Sequence, residues 1–108
     1  MIIYALKTCD TCRKAIKAVT ESGLDFKLVD IRSDGIARDD LAKFYTALGD
    51  ALINRSSTTW RGLTPEEQGS DPVSLLVDHP TLMKRPLIDI DGTYYLGWKA
   101  DVQAAVLG

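Results

Sequence analysis

The first 31 residues alternate between two apolar patterns, and this alternation restricts the fold more than any other feature of the chain. Residues 2–6 (IIYAL) and 26–31 (FKLVDI) are short apolar runs typical of buried strands. Between them, apolar residues recur at the spacing of one helix face: Cys12, Ala15, Ile16 and Val19. A helix that connects two neighbouring strands in this way makes them parallel. The sequence therefore predicts an α/β fold that begins with a βαβ unit.

The middle of the chain, from about residue 34 to residue 84, has helical patterns joined by polar loops. Three local signals indicate helices there: the apolar face Leu41, Phe44, Tyr45 and Leu48 before Gly49, the capping box Thr64-Pro65-Glu66-Glu67, and the helix start Asp71-Pro72. This part is predicted to be a helical insertion.

The strand pattern returns near the C-terminal end of the chain. Residues 87–90 and 93–97 flank Asp91-Gly92, the dipeptide that most strongly predicts a hairpin, and residues 99–107 are predicted to form a terminal helix. The predicted order is βαβ, the insertion, then ββα, within a single domain that spans residues 1–108.

Composition excludes several classes of protein. The net charge is −2 and no basic stripe is present, so we expect no nucleic-acid partner. The apolar start MIIYAL is interrupted at Lys7, which is too early for a signal peptide or a membrane span, so we expect a cytoplasmic protein without a membrane partner. In a reducing compartment, two cysteines in close spacing indicate catalysis or metal binding rather than a structural disulfide.

The segment TCDTCRKAI (residues 8–16) places Cys9 where the first strand gives way to a helix. Free backbone N–H groups of the first helical turn favour a thiolate there, and Arg13 and Lys14 add positive charge, which Asp10 opposes. Cys12 lies one turn further on the apolar face. It is either a buried core residue or a resolving thiol that attacks a mixed disulfide on Cys9.

A metal site is not predicted. Structural zinc requires four ligands, and this chain has two cysteines and one histidine. That histidine, His79, lies between Asp78 and Pro80 and is predicted to be a helix-end residue.

Three segments resemble the arsenate reductase (ArsC) family, including its Spx and YffB branches: CDTCRKA at 9–15, NRSSTTWR at 54–61 and KRPL at 84–87. The TTWR stretch is most similar to YffB-like proteins. The resemblance extends over nearly the whole chain and implies a thioredoxin-like fold, a mixed sheet flanked by helices, with the helical insertion in its middle.

The resemblance also implies roles for individual residues. Cys9 resembles the family nucleophile, with Cys12 and Arg85 as further catalytic candidates. The substrate-binding candidates are Arg55, Arg61, Arg85, Pro86 and Lys99, of which Lys99 would replace an arginine of some relatives. The Arg85–Pro86 bond is predicted to be cis. Trp60 is predicted to anchor the core under the insertion, with a pocket wall as the alternative.

The implied function is that of a bacterial, glutathione-dependent thiol–disulfide oxidoreductase. Glutathione would be the thiol co-substrate, no metal would be needed, and a glutaredoxin is a further candidate partner of a monomeric protein. Two alternatives stay open: an arsenate reductase, and an Spx-like redox-sensing regulator that binds RNA polymerase.

Overall fold

The computed structural model describes residues 1–108. Its strands are β1 (Ile2–Ala5), β2 (Lys27–Asp30), β3 (Leu87–Ile90) and β4 (Thr93–Leu96). Its α-helices are α1 (Asp10–Glu21), α2 (Arg38–Leu48), α3 (Thr58–Arg61), α4 (Pro65–Gln68), α5 (Pro72–Asp78) and α6 (Ala100–Leu107). Two 3-10 turns, Gly49–Leu52 and Pro80–Leu82, lie between helices of the insertion.

The four strands form one mixed sheet in the order β2-β1-β3-β4. β1 and β2 are parallel, as the βαβ pattern predicts, and β3 is antiparallel to both β1 and β4. Because β1 pairs with β3, the two ends of the chain meet in the middle of the sheet. The predicted α/β, thioredoxin-like order with a helical insertion is confirmed.

Alternate residues of β1 point to opposite faces of the sheet and so divide the core. Ile3 and Ala5 pack with α1 and α6, in a cluster that includes Cys12 and Val106. Tyr4 and Leu6 face the insertion, in the second cluster: Tyr4, Leu6, Ile31, Leu41, Phe44, Leu52, Ile53, Leu75, Leu76, Leu82, Met83 and Leu87. The molecule therefore has three layers: the insertion, the sheet, and the α1–α6 pair.

Local signals set the ends of the elements. The capping box is present in both directions between Thr64 and Glu67, as predicted. The hairpin turn consists of Asp91 and Gly92, both with positive φ (50° and 86°), which a two-residue hairpin loop requires. β4 ends at Leu96, one residue earlier than predicted, because Gly97 adopts a φ of 81° that a strand residue does not take.

The segment that enters α1 is held by backbone hydrogen bonds. The Cys9 N–H donates to the carbonyl of Leu6 (3.1 Å), and the Arg13 N–H donates to the carbonyl of Cys9 (3.0 Å). None of the helices is long and apolar enough to cross a membrane.

Candidate active site

Cys9 is the N-cap residue of α1, at the junction that the sequence predicts. Its backbone is extended (φ −87°, ψ 122°), and its side chain is partly exposed. Cys9 touches both core clusters from the end of the sheet. The thiol is therefore held between the two layers while one side stays accessible.

The pKa of Cys9 lies below its ordinary value. Burial raises it, but four stabilising contacts of the thiolate outweigh that effect: the backbone N–H and the thiol of Cys12, the positive charge of Arg85, and the backbone N–H of Thr11. Donors from the first turn of α1 act as expected at a helix N-terminus. Arg85 supplies the positive charge that contributes to the lowered pKa of Cys9.

Arg13 is close to Cys9 in the sequence, but its side chain contacts Lys7 and Asp10. Its Nε donates to the carbonyl of Lys7 (2.7 Å), and its Nη1 lies 3.7 Å from the carboxylate of Asp10. The charges of Arg13 and Asp10 therefore largely offset each other at the surface.

Cys12 is fully buried in the cluster formed by α1, α6 and the sheet. Burial, followed by the hydrogen bond to Cys9 and the negative charge of its thiolate, raises the pKa of Cys12 to about 12. At neutral pH this thiol is protonated, so it donates to Cys9 rather than acting as a nucleophile itself.

Arg85 approaches Cys9 from the segment that leads into β3. The Arg85–Pro86 peptide bond is cis, as predicted, and Pro86 is buried. Arg85 Nη1 donates to the carbonyls of Thr81 (2.9 Å) and Met83 (3.2 Å). Its Nε is buried and has no hydrogen-bond partner. These contacts fix the guanidinium against the backbone of the insertion.

Cys9 and Arg85 open into a cavity of about 830 Å3. The cavity is lined by Cys9, Thr11, Lys14, Ala51, Asn54, Lys84, Arg85, Leu96, Gly97, Trp98, Lys99, Asp101 and Gln103. Four of these residues are basic and one is acidic. None of the four basic side chains forms an ion pair within the protein. The arrangement can hold an anionic ligand against a thiolate.

Only some of the site residues predicted from the sequence line the cavity. Lys99 lines it, one residue before α6, whereas Pro86, the next residue after Arg85 in the sequence, is buried and does not line it. Arg55 does not line it: its Nη2 is 3.3 Å from Asp50 Oδ1, and its guanidinium lies 5.2 Å from the ring centre of Trp60. Arg61 does not line it either, because it donates to the carbonyl of Ser56 (2.6 Å).

Trp60 and His79 lie in the insertion, outside the cavity lining. Trp60 is half-buried and packs against the core cluster of the insertion, which agrees with the predicted anchor. His79 ends α5, as predicted, and its Nε2 is 3.9 Å from a carboxylate oxygen of Glu67.

Ten of the thirteen lining residues were not among the predicted site residues, and Lys84, Asn54 and Gln103 are three of them. Lys84 precedes Arg85 in the KRPL segment, so its place in that motif was an available signal. Asn54 begins the NRSSTTWR segment, so its place in that motif was an available signal as well. Gln103 had no such signal, because the first turns of α6 are brought to the cavity only by tertiary packing.

Comparisons with known proteins agree with this fold. A model of the ArsC family matches residues 4–106. An uncharacterized protein of Haemophilus influenzae is 38% identical over 109 residues, which cover 95% of this chain and 96% of the relative. The solved structure of a protein named YffB superimposes with a TM-score of 0.91, at 28% identity, over 99% of this chain and 98% of that one.

A second solved structure, of an arsenate reductase (ArsC) related protein from Brucella melitensis, is 30% identical with a TM-score of 0.74. The similarity covers 95% of this chain and 91% of that one. Since the family model spans almost the entire sequence and the fold is shared, the chain belongs to the ArsC family.

Proposed function

We propose that this protein is a thiol–disulfide oxidoreductase that uses Cys9 as its nucleophile and glutathione as its thiol co-substrate. One observation carries the proposal: a partly exposed thiol with a lowered pKa opens into a cavity whose basic side chains form no ion pair within the protein. Membership of the ArsC family agrees with redox chemistry at this cysteine.

The reaction needs two exchange steps. In the first, the Cys9 thiolate attacks the glutathione sulfur of a mixed disulfide, the substrate S–S bond breaks, and the substrate leaves as a thiolate that takes a proton from water. In the second, the thiolate of a free glutathione attacks the glutathione sulfur now bonded to Cys9. Oxidised glutathione leaves, and the Cys9 thiolate is restored. In the net reaction the substrate sulfur is reduced to a thiol and one free glutathione thiol is oxidised, because the other half of the oxidised glutathione comes from the mixed disulfide.

The burial of Cys12 favours an external thiol over an internal one for the second step. Once Cys9 is in a mixed disulfide, the charge and the hydrogen bond that raise the pKa of Cys12 are lost, but burial, the largest cause, remains. A mostly protonated thiol without access to solvent attacks slowly. Cys12 therefore acts as a hydrogen-bond donor in the core.

The charge of the cavity fits glutathione, which carries two carboxylates and one ammonium group. Lys14, Lys84, Arg85 and Lys99 line the cavity, against the single carboxylate of Asp101. A volume of about 830 Å3 lies within the range of cavities that enclose small ligands. We expect the carboxylates of glutathione to bind among these cations.

Arsenate is the second candidate substrate, favoured by the buried Arg85 Nε that has no partner next to Cys9. Because this Nε has almost no exposed surface, an oxyanion beside Cys9 would accept a hydrogen bond from it only after the guanidinium shifts. Glutathione-coupled turnover of arsenate by the pure protein separates this reaction from disulfide reduction. No turnover at saturating arsenate would discard it.

The test of the proposed function is the mass of the intact protein after incubation with oxidised glutathione. We expect one glutathione adduct, in equal yield in the wild type and in Cys12→Ser, and none in Cys9→Ser. An adduct that accumulates only in Cys12→Ser would make Cys12 the resolving thiol. An adduct that persists in Cys9→Ser would overturn the proposed nucleophile.

A further inference from the structure

The TTWR stretch at residues 58–61 contacts the active site indirectly, through one hydroxyl–hydroxyl contact. Thr59 Oγ1 and Thr81 Oγ1 are 3.1 Å apart and join α3 to the 3-10 turn Pro80–Leu82. The carbonyl of the same Thr81 accepts the hydrogen bond from Arg85 Nη1 (2.9 Å). A continuous series of contacts therefore runs from Thr59 through Thr81 to Arg85, which lies beside Cys9.

The two carbonyls that hold Arg85 are not fixed in the same way. Met83 pairs with Ile53 as an isolated bridge, and backbone bonds on both sides of that bridge hold the segment: the Asn54 N–H donates to Leu82 (2.8 Å) and the Lys84 N–H donates to Leu52 (2.8 Å). Thr81 lies just outside this pairing, in the middle of a three-residue turn. The turn has its own backbone bonds, from the Leu82 N–H to His79 (2.9 Å) and from the Met83 N–H to Pro80 (3.1 Å), and the Thr81–Thr59 hydroxyl contact joins it in addition to α3.

We propose that Thr59 and Thr81 are positioning residues: their hydroxyl contact holds the Thr81 carbonyl where it orients the Arg85 guanidinium toward the sulfur of Cys9. The role rests on the proposed function of Cys9 as nucleophile. In this role Thr59, in the TTWR stretch, helps to orient Arg85 without contacting the substrate.

The charged groups around Cys9 define what the loss of this contact would do. Lys14, Lys84, Lys99 and Asp101 line the same cavity, and the Cys12 thiol faces the sulfur from α1. The guanidinium of Arg85 is the charged group that stabilises the Cys9 thiolate. If the Thr81 carbonyl moves, Arg85 is less well oriented and the thiolate is less stable at neutral pH.

The test measures the rate at which iodoacetamide alkylates Cys9, located by peptide mass spectrometry, between pH 5 and pH 10. This reagent reports the thiolate whatever the physiological substrate is, so the test can fail while the proposed function stands. For Thr59→Val and Thr81→Val we expect a rate about two- to fivefold lower near pH 6 and an unchanged rate at the alkaline plateau. Thr59→Ser, which keeps the hydroxyl, should restore the wild-type profile.

Two controls separate positioning from a general loss of structure. Thr58→Val removes a neighbouring, exposed hydroxyl that makes no side-chain hydrogen bond, and it should leave the profile unchanged. In an Arg85→Gln background, Thr59→Val should have no further effect on the profile, because the group through which it acts is gone. A wild-type profile in both Thr59→Val and Thr81→Val would overturn the proposal, as would an equal further loss in the Arg85→Gln background.

Discussion

Cys9 and Cys12 lie close together at the start of α1, and the pKa values of the two cysteines shift in opposite directions. The pKa of Cys9 is lowered, although burial opposes this, and burial raises the pKa of Cys12 to about 12. One thiolate stabilised by one thiol is an arrangement suited to a single nucleophile with a buried donor behind it.

Removal of the Cys12 donor should make Cys9 less reactive. In Cys12→Ala the pKa of Cys9 rises, because the hydrogen bond from the Cys12 thiol is lost, whereas the backbone N–H at position 12 remains. We expect the rate of Cys9 alkylation at pH 7 to fall about two- to fivefold. Cys12→Ser is the matched control, since its hydroxyl still donates. Equal rates in the two variants would contradict the assigned hydrogen bond.

The raised pKa of Cys12 also predicts how stability depends on pH. Because the pKa of Cys12 is higher in the folded state (about 12) than its ordinary value of 9.0, the stabilisation is complete below pH 9 and is lost as pH rises toward 12. The unfolded chain releases this proton first, which favours unfolding by at most about 1.4 kcal/mol per pH unit in that window.

The measurement compares urea unfolding of Cys9→Ser with that of the double variant Cys9→Ser/Cys12→Ser, from pH 8 to pH 11. Only the first protein has a titrating thiol, and all other groups are common to both. The free energy of unfolding of Cys9→Ser should fall relative to the double variant as pH rises. A difference that stays constant over this range would mean that Cys12 is not protected from ionisation in the fold.

The capping box of α4 gives a stability test that should not affect the chemistry. Thr64 Oγ1 accepts from the Glu67 N–H (3.1 Å), and Glu67 Oε1 accepts from the Thr64 N–H (3.0 Å), at the surface of the insertion. Thr64→Ala should lower the free energy of unfolding by about 1 kcal/mol. The alkylation profile of Cys9 should be that of the wild type. A changed profile would show that this helix is coupled to the active site.

Most of the fold could be predicted because the signals are local. The apolar periods of β1 and α1, the hairpin dipeptide Asp91-Gly92 and the capping box at Thr64 are properties of a few neighbouring residues, and each occurs where predicted. Once the elements are in order, the parallel β1–β2 pair follows from the short helical connection.

The site could be predicted only in part, because side-chain direction depends on tertiary contacts. Motif position identified Cys9 and Arg85, which meet at the cavity. It could not show that Asp50 and Trp60 hold Arg55 outside the cavity lining, since those contacts form only when the 3-10 turn and α3 pack together. Whether Cys12 is a core residue or a resolving thiol likewise depends on its burial. That burial results from the packing of α1 against the sheet and α6, which the sequence alone does not show.

Arg85 and Arg55, two of the three candidate arginines, should therefore differ in their effect on catalysis. Arg85→Gln removes the guanidinium beside Cys9, and we expect the rate of glutathione-adduct formation at pH 7 to fall about tenfold or more, in line with the loss of a charge-assisted contact. Arg55→Gln removes a half-exposed guanidinium held by Asp50, and we expect a change of less than about twofold. Arg85→Lys, which keeps the charge without the fork, should fall between them. Far-ultraviolet circular dichroism checks that each variant is folded. A loss in Arg55→Gln as large as that in Arg85→Gln would mean that Arg55 leaves Asp50 and enters the cavity when substrate binds.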